Sequence, residues 1–285
     1  MITNVGVIGT GAMGAGIMQV AAQAGCNVIG RDLNDDALAN GLKTIDRMLK
    51  IAVRRAGLPQ ADADAAKARI ATTTDVSKLA DCDIVIEAAV EVMDIKKKIF
   101  GELDKVCKPA CIFASNTSAL SISEMSTATD RRDRFCGLHF FNPVPMMELL
   151  EVVRTDATSD ATYTAVTEWG ERIGKTCITA KDTPGFIVNF VLMPLLLGAA
   201  AFYEKGIATA EDIDAGMRLG CGHPKGPLEL LDAIGLDVAL HVAETISAAH
   251  PGEQQYVAPK ILRDLVAAGK LGRKTGEGFY NYNKG

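Results

Sequence analysis

Short apolar runs alternate with longer amphipathic stretches through the first two thirds of the chain. Val5-Gly-Val-Ile8 has the length of a strand and leads into a helical pattern over 13–24; Asn27-Val-Ile29 leads into a second over 35–55. Strand, helix, strand is the rhythm of a parallel sheet with crossover helices. The same periodicities place strands at 70–73, 84–86, 112–114, 135–140 and 149–153, helices at 95–106 and 162–173, and a closing strand at 176–179. Past Asp182-Thr-Pro-Gly185 the strand signals stop, and helical patterns cover 187–204, 210–219, 227–249 with a break near Gly235, and 257–267. The expected architecture is an α/β domain with a doubly wound sheet over 1–184 and an all-α domain over 185–285. No internal repeat or Ser/Gly-rich linker intervenes, so the two are expected to pack firmly, with a ligand cleft between them.

One stretch tests whether the chain enters a membrane. Between Asp182 and Glu204 there is no charged residue, which approaches the length of a spanning helix. Pro184-Gly185 open the stretch, Asn189 and Pro194 interrupt it, and no second stretch resembles it. The expectation is a helix kinked at Pro194 that lies in the core or in a dimer interface.

Composition narrows the class. With 285 residues, 48% hydrophobic and 23% charged, the chain has the make-up of an ordinary globular protein. Thirty Lys+Arg against 35 Asp+Glu give a formal charge of -5, the wrong sign for a broad nucleic-acid face. Seven cysteines, an odd number without CxxC spacing, suggest neither a disulfide framework nor a metal site, and fit a reducing, cytoplasmic compartment. The N-terminus runs straight into a strand pattern, with no charged n-region or cleavable apolar stretch, so no export signal is expected.

The first strand ends in Gly9-Thr-Gly11-Ala12-Met13-Gly14 and passes directly into a helix, and Asp32 closes the second strand. GxGxxG is weak alone, but between a strand and a helix, with an acidic residue after the next strand, it is a dinucleotide fingerprint. Gly9 allows the tight turn, Gly11 lets backbone N–H groups reach a pyrophosphate, and Gly14 lets the helix lie close to the strand. Gly16 is a candidate for further close packing. The domain is therefore read as Rossmann-type. The Asp32 carboxylate would accept from ribose hydroxyls and repel a 2′-phosphate, favouring NAD over NADP. Arg31, beside it, is either a surface residue or a source of residual NADP use.

A nicotinamide enzyme that oxidises an alcohol needs a base for the hydroxyl proton, and His suits that task near neutral pH. Of the four histidines, His223, His241 and His250 fall in a turn, a helical pattern and a loop. His139 instead ends a strand in Gly137-Leu-His-Phe-Phe-Asn-Pro143, with Glu151 in the next apolar strand, Leu149-Leu-Glu-Val-Val153. A carboxylate buried in such a strand needs a partner. Glu151 is thus either the residue that orients His139 as a base or a surface-facing Glu. Ser115-Asn-Thr-Ser118, at the carboxyl edge of the sheet, reads equally as a ligand-binding loop or as turn and cap residues, with Ser121 and Glu124 forming a capping box. Asn189, in the uncharged helix, must find amide partners if buried.

Taken together, the fingerprint with Asp32, Ser115-Asn-Thr-Ser118, Gly137-Leu-His-Phe-Phe-Asn-Pro-Val-Pro145, Glu151, Asp182-Thr-Pro-Gly-Phe-Ile-Val-Asn189 and Lys274-Thr-Gly-Glu-Gly-Phe-Tyr280 resemble the L-3-hydroxyacyl-CoA dehydrogenase family over nearly the whole chain. The resemblance implies reversible oxidation of an L-3-hydroxyacyl-CoA to the 3-oxoacyl-CoA with NAD. It implies His139 as the base, Glu151 as its partner, and Ser118 and Asn189 near the reacting carbon. It implies NAD contacts from Asp32, Glu91, Lys96, Ser118 and Lys274, which with the fingerprint residues Gly9, Gly11, Ala12, Met13 and Gly14 and with Asn116 make up the expected cofactor set; by composition alone Glu91 and Lys96 read as a solvated helix start. It also implies a homodimer formed through the C-terminal domain. One departure is Phe190, where the family pattern often has Arg after the Asn.

Lys43, Arg47, Lys50 and Arg54 share one helix face, with Ile45, Met48, Leu49, Ala52 and Val53 opposite. Such a stripe is either a solvated face or a cradle for phosphates. With the resemblance, Lys43 and Lys50 become the expected contacts to an acyl-CoA. Two rival classes remain: a non-enzymatic NAD-binding protein, against which His139, Glu151, Ser118 and Asn189 argue, and a dehydrogenase of free hydroxy acids, which would need no face for CoA phosphates.

Overall fold

The computed structural model describes residues 1–283; Lys284 and Gly285, at the end of the expected second domain, lie outside the described residues. The chain divides into two compact units, Met1–Thr183 and Pro184–Gly285. In the first, the elements run β1 (Asn4–Ile8), α1 (Ala12–Gln23), β2 (Asn27–Arg31), α2 (Asp35–Arg55), α3 (Gln60–Ala68), β3 (Ile70–Thr73), β4 (Ile84–Glu87) and α4 (Met93–Val106). They continue with β5 (Ile112–Ser115), α5 (Ile122–Ser126), β6 (Phe135–Phe140), β7 (Leu149–Arg154), α6 (Asp160–Arg172) and β8 (Thr176–Lys181).

The strand order is β3-β2-β1-β4-β5-β6-β7-β8. Its first six strands are parallel, in the order of the doubly wound dinucleotide-binding sheet. The expected parallel rhythm ends there, since β7 runs antiparallel to β6 and β8 parallel to β7. Only residues 141–148 connect β6 to β7, too few for a crossover helix, so the chain turns back as a hairpin. That reversal sets His139 directly opposite Glu151.

Two helices escaped the periodic reading. In α3 the buried residues are only Ala63 and Ala66, so no bulky stripe announces it. α5 is five residues long and begins at the expected Ser121 cap, whose hydroxyl accepts from the Glu124 N–H at 3.1 Å. Asp182 completes that cap from the far end of the unit, accepting from the Ser121 hydroxyl and from the N–H groups of Ile122 and Ser123 at 2.7–2.9 Å.

The second unit comprises α7 (Val188–Glu204), α8 (Ala210–Cys221), α9 (Pro227–Ile234), α10 (Leu236–Ala249) and α11 (Lys260–Ala267). The expected break falls at Gly235, with φ of 102°, where a side chain would be strained. The stretch expected to start a helix at 257 is extended there and preceded by a short 3₁₀ turn, and α11 begins only at Lys260. Met193, Leu196, Leu197 and Ala200 of α7 pack with Leu228, Leu231, Leu236, Ile246 and Leu262. Pro194 lies inside α7, and among the described residues no helix is long and apolar enough to cross a membrane. Phe190 stacks against Tyr256 and His250, with ring centroids 5.0 and 5.3 Å away, so the aromatic ring fills a place of its own within this unit. Buried Asp232 accepts from the N–H groups of Phe279 and Tyr280, each at 2.9 Å, fastening the segment that carries Lys274. Burial pushes the Asp232 carboxyl up, against the pull of those donors.

Candidate active site

The fingerprint loop forms one end of a cleft of about 650 Å3 within the first unit, lined by Gly9, Gly11, Asp32, Leu33, Ala89 and Ile95 among others. Gly9 has φ of 87°, and a Cβ there would sit 2.7 Å from the Ala88 carbonyl oxygen. A Cβ on Gly14 would fall 1.7 Å from the Gly9 carbonyl oxygen, so α1 closes on the turn only because position 14 has no side chain. Above Gly11 there is open space, and the Gly11 side contributes no capping group to α1. The first N–H groups of the helix, including those of Ala12 and Met13, are thus available to an anion. Gly16 serves a contact other than the strand, since a Cβ there would meet Val144 at 2.7 Å.

Asp32 is held firmly. Its carboxylate accepts from the Thr10 N–H at 2.7 Å, the Thr10 hydroxyl at 2.8 Å and the Leu33 N–H at 2.8 Å. Burial pushes this carboxyl up, but the Thr10 and Leu33 donors with nearby Arg31 outweigh it and hold it below the usual carboxylate range. Arg31 itself donates through Nε to the Thr74 carbonyl at 3.3 Å. This open cradle, helix terminus and ionised carboxylate fit NAD.

On the sixth and seventh of the eight strands, His139 and Glu151 face each other across the β6–β7 ladder, with His139 Nδ1 2.6 Å from Glu151 Oε2. Both are buried, at 4% and 0% exposure. A carboxylate can only accept, so Nδ1 carries the hydrogen and Nε2 is the basic nitrogen. Nε2 lies 3.2 Å from the Ser118 hydroxyl oxygen, and the Phe141 ring lies 4.6 Å from the imidazole, centroid to centroid. β5 and β6 pair only as far as Ser115 and Gly137. Beyond that point Asn116 spans the gap, its Oδ1 accepting from the Phe140 N–H at 2.9 Å, and the loop carries Ser118 to the imidazole.

Glu91 and Lys96 are not the solvated helix start that composition suggested. Lys96 is 1% exposed and its ammonium lies 2.7 Å from Glu87 and 3.2 Å from Glu91. Glu91 in turn accepts from the Thr117 hydroxyl and, at 3.0 Å, from the Ser118 N–H. Sequence reasoning missed Glu87, Thr10 and Lys175. A carboxylate that closes the apolar strand Ile84-Val-Ile was the available signal for Glu87. Lys175 gave none: it precedes β8 as an ordinary turn lysine, yet its buried ammonium donates to the carbonyls of Val144 and Met147 at 2.6 and 2.7 Å, fastening the connection that follows His139. Burial lowers its pKa.

The remaining candidates are Lys43, Lys50, Asn189 and Lys274. Lys43 and Lys50 are exposed on α2 beside Arg47 and Arg54, while Ile45 and Leu49 face inward. Asn189 is half-buried rather than buried, in the first turn of α7. Lys274 is exposed in the second unit, paired with Asp237 at 2.6 and 2.7 Å.

Comparison with known proteins identifies the family. Residues 4–183 match the model of the 3-hydroxyacyl-CoA dehydrogenase NAD binding domain, and residues 185–282 match that of its C-terminal domain. The chain is 45% identical to the 3-hydroxybutyryl-CoA dehydrogenase of Bradyrhizobium diazoefficiens, covering 99% of this chain and 96% of that protein. It is 44% identical to the human mitochondrial hydroxyacyl-coenzyme A dehydrogenase, covering 99% and 92%. The crystal structure of (S)-3-hydroxybutyryl-CoA dehydrogenase from Ralstonia eutropha superposes with a TM-score of 0.95 at 44% identity, covering 100% of both chains.

Proposed function

The chain belongs to the 3-hydroxyacyl-CoA dehydrogenase family, and on that premise we propose that it interconverts L-3-hydroxybutyryl-CoA and acetoacetyl-CoA, with His139 as general acid and base and Glu151 as the residue that orients it. NAD, when bound, supplies the acceptor for the hydride that leaves the substrate's third carbon. In the oxidising direction His139 Nε2 takes the proton of the 3-hydroxyl group as that carbon loses hydride. In the reducing direction the imidazolium returns it to the oxygen. Glu151, 2.6 Å from Nδ1, fixes the tautomer and stabilises the imidazolium. Ser118, 3.2 Å from Nε2, marks where the substrate oxygen would lie, and Asn189 is the proposed second substrate contact.

The observation that carries this reading is the line from buried Glu151 and His139 to half-buried Ser118 at the carboxyl edge of the sheet. The free cations of α2 support contacts from Lys43 and Lys50 to the CoA phosphates, and Lys274 with Asn116 completes the proposed cofactor contacts. On α7, Val191, Leu195 and Phe202 are 70%, 36% and 44% exposed. An apolar row on one helix face supports a homodimer through the second unit. The odd cysteine count without CxxC spacing supports a reducing, cytoplasmic setting.

The test is His139→Gln, assayed for turnover and for NADH binding. The expected result is a fall in kcat of about 100- to 10,000-fold with NADH affinity unchanged. Turnover near that of the parent protein would remove His139 from the mechanism.

A further inference from the structure

One heavily bonded carboxylate of the first unit neither contacts His139 nor lines the open cleft. Glu87, the last residue of β4, is fully buried. Its Oε1 accepts from the Lys96 ammonium at 2.7 Å and from the Ala89 N–H at 2.7 Å. Its Oε2 accepts from Lys96 at 2.9 Å and from the Ser115 hydroxyl at 2.6 Å. Four hydrogen bonds from three donor groups on one buried carboxylate leave it little freedom, and such a network is costly to leave half satisfied.

Two routes lead from this carboxylate to Ser118. In the first, the Ser115 hydroxyl that donates to Glu87 accepts from the Thr117 N–H at 3.2 Å, which fixes the start of the loop. In the second, Lys96 is shared between Glu87 and Glu91, and Glu91 holds the Ser118 N–H at 3.0 Å. With Glu87 charged, the ammonium is held at Glu87 at 2.7 and 2.9 Å and touches Glu91 only through Oε2, so that Oε1 of Glu91 is left to the loop. With Glu87 neutral, Lys96 has a single anionic partner and draws Glu91 away from Ser118.

Building on the reading of His139 as the acid–base group, we propose that Glu87 is a positioning residue for the reaction: it holds the Ser115–Ser118 loop from both ends, so that the Ser118 hydroxyl meets His139 Nε2. The Ala89 N–H bond ties the same carboxylate to the turn beside Gly9.

The test is a cycle of Glu87→Gln, Ser118→Ala and the double variant, read by steady-state kinetics with NADH and acetoacetyl-CoA and by NMR of the His139 ring, assigned with His139→Gln. Glu87→Gln is expected to lower kcat about tenfold, as loss of a supporting contact to reacting groups does, while both KM values stay within about threefold. In the Ser118→Ala background it is expected to add no further loss, because the route is already cut. The His139 ring signal is expected to move on Glu87→Gln in the parent protein and to stay in place when Ser118→Ala is already present. Glu87→Asp, which keeps the charge, is expected to retain more of kcat, and it carries the same cycle if Glu87→Gln does not fold. A kcat within twofold of the parent, an equal loss in both backgrounds, or an unmoved ring signal would overturn the proposal. If the parent protein does not reduce acetoacetyl-CoA, the functional reading falls, and the ring signal alone decides the role of Glu87.

Discussion

Asp32 is set before any ligand arrives. Three donors and a neighbouring guanidinium hold its carboxyl below the usual range, so it is an anion throughout the neutral range, and in the proposed reading it faces the ribose 2′-substituent. A 2′-phosphate there meets a like charge, which costs about 2 kcal/mol or more. NADPH is therefore expected to be used at least about 30-fold less efficiently than NADH in kcat/KM, and equal efficiency in that comparison would refute the assignment. Asp32 was legible because the fingerprint fixes its distance along the chain. Thr10, which holds it, was not, since a threonine within a glycine loop has no pattern of its own. The same contrast separates Glu151 from Glu87. A carboxylate inside an apolar strand and a histidine in the preceding one suggest each other, whereas the partners of Glu87 come from a helix and a loop that only the folded chain brings together.

At the scale of elements, long periodic segments were readable and short or small-residue ones were not. α2 alternates bulky apolar and charged positions and was visible; α3 buries only alanines, and α5 depends on Asp182, some sixty residues further along. The reversal of β7 followed from a connection too short to cross over, a matter of length rather than propensity. The start of the sheet also has an electrostatic clasp. Asp83, just before β4, accepts from the N–H groups of Thr3 and Asn4 and from Lys108 at 2.7–2.9 Å. Burial pushes this carboxyl up, but Lys108 and the two N–H groups outweigh it and hold it well below the usual range. A carboxyl lowered in the folded state contributes stability above its unfolded value near 4, and that contribution is lost as the pH falls from there toward the folded value. Asp83→Asn is expected to destabilise the first unit at pH 7 by about 1 kcal/mol, allowing for partial solvent screening, or about 2–4 °C in Tm. The difference from the parent is expected to narrow as the pH drops below 4. A difference that is constant with pH in thermal melts would assign the effect to packing instead.

For the whole molecule, the net charge of -5 is an average over very different regions. Residues 43–55 carry five basic side chains and one acidic, and the acidic one, Asp46, is paired with Lys67 at 2.9 Å. The exposed face of α2 therefore presents cations on an acidic protein, where a small polyanion can bind although nucleic acid is disfavoured. The apolar row of Val191, Leu195 and Phe202 predicts association through the second unit: light scattering is expected to give twice the mass of one chain, and Val191→Glu to shift it toward the monomer. A monomer in the parent protein would contradict the dimer. The central claim, hydride exchange on a CoA thioester with His139 as acid and base, is tested most directly by following NADH loss with acetoacetyl-CoA and with free acetoacetate side by side. The expected result is turnover with the thioester and a kcat/KM at least about 100-fold lower with the free acid, since binding energy from the remote part of a substrate is used at the reacting centre. Comparable rates with the two would contradict it.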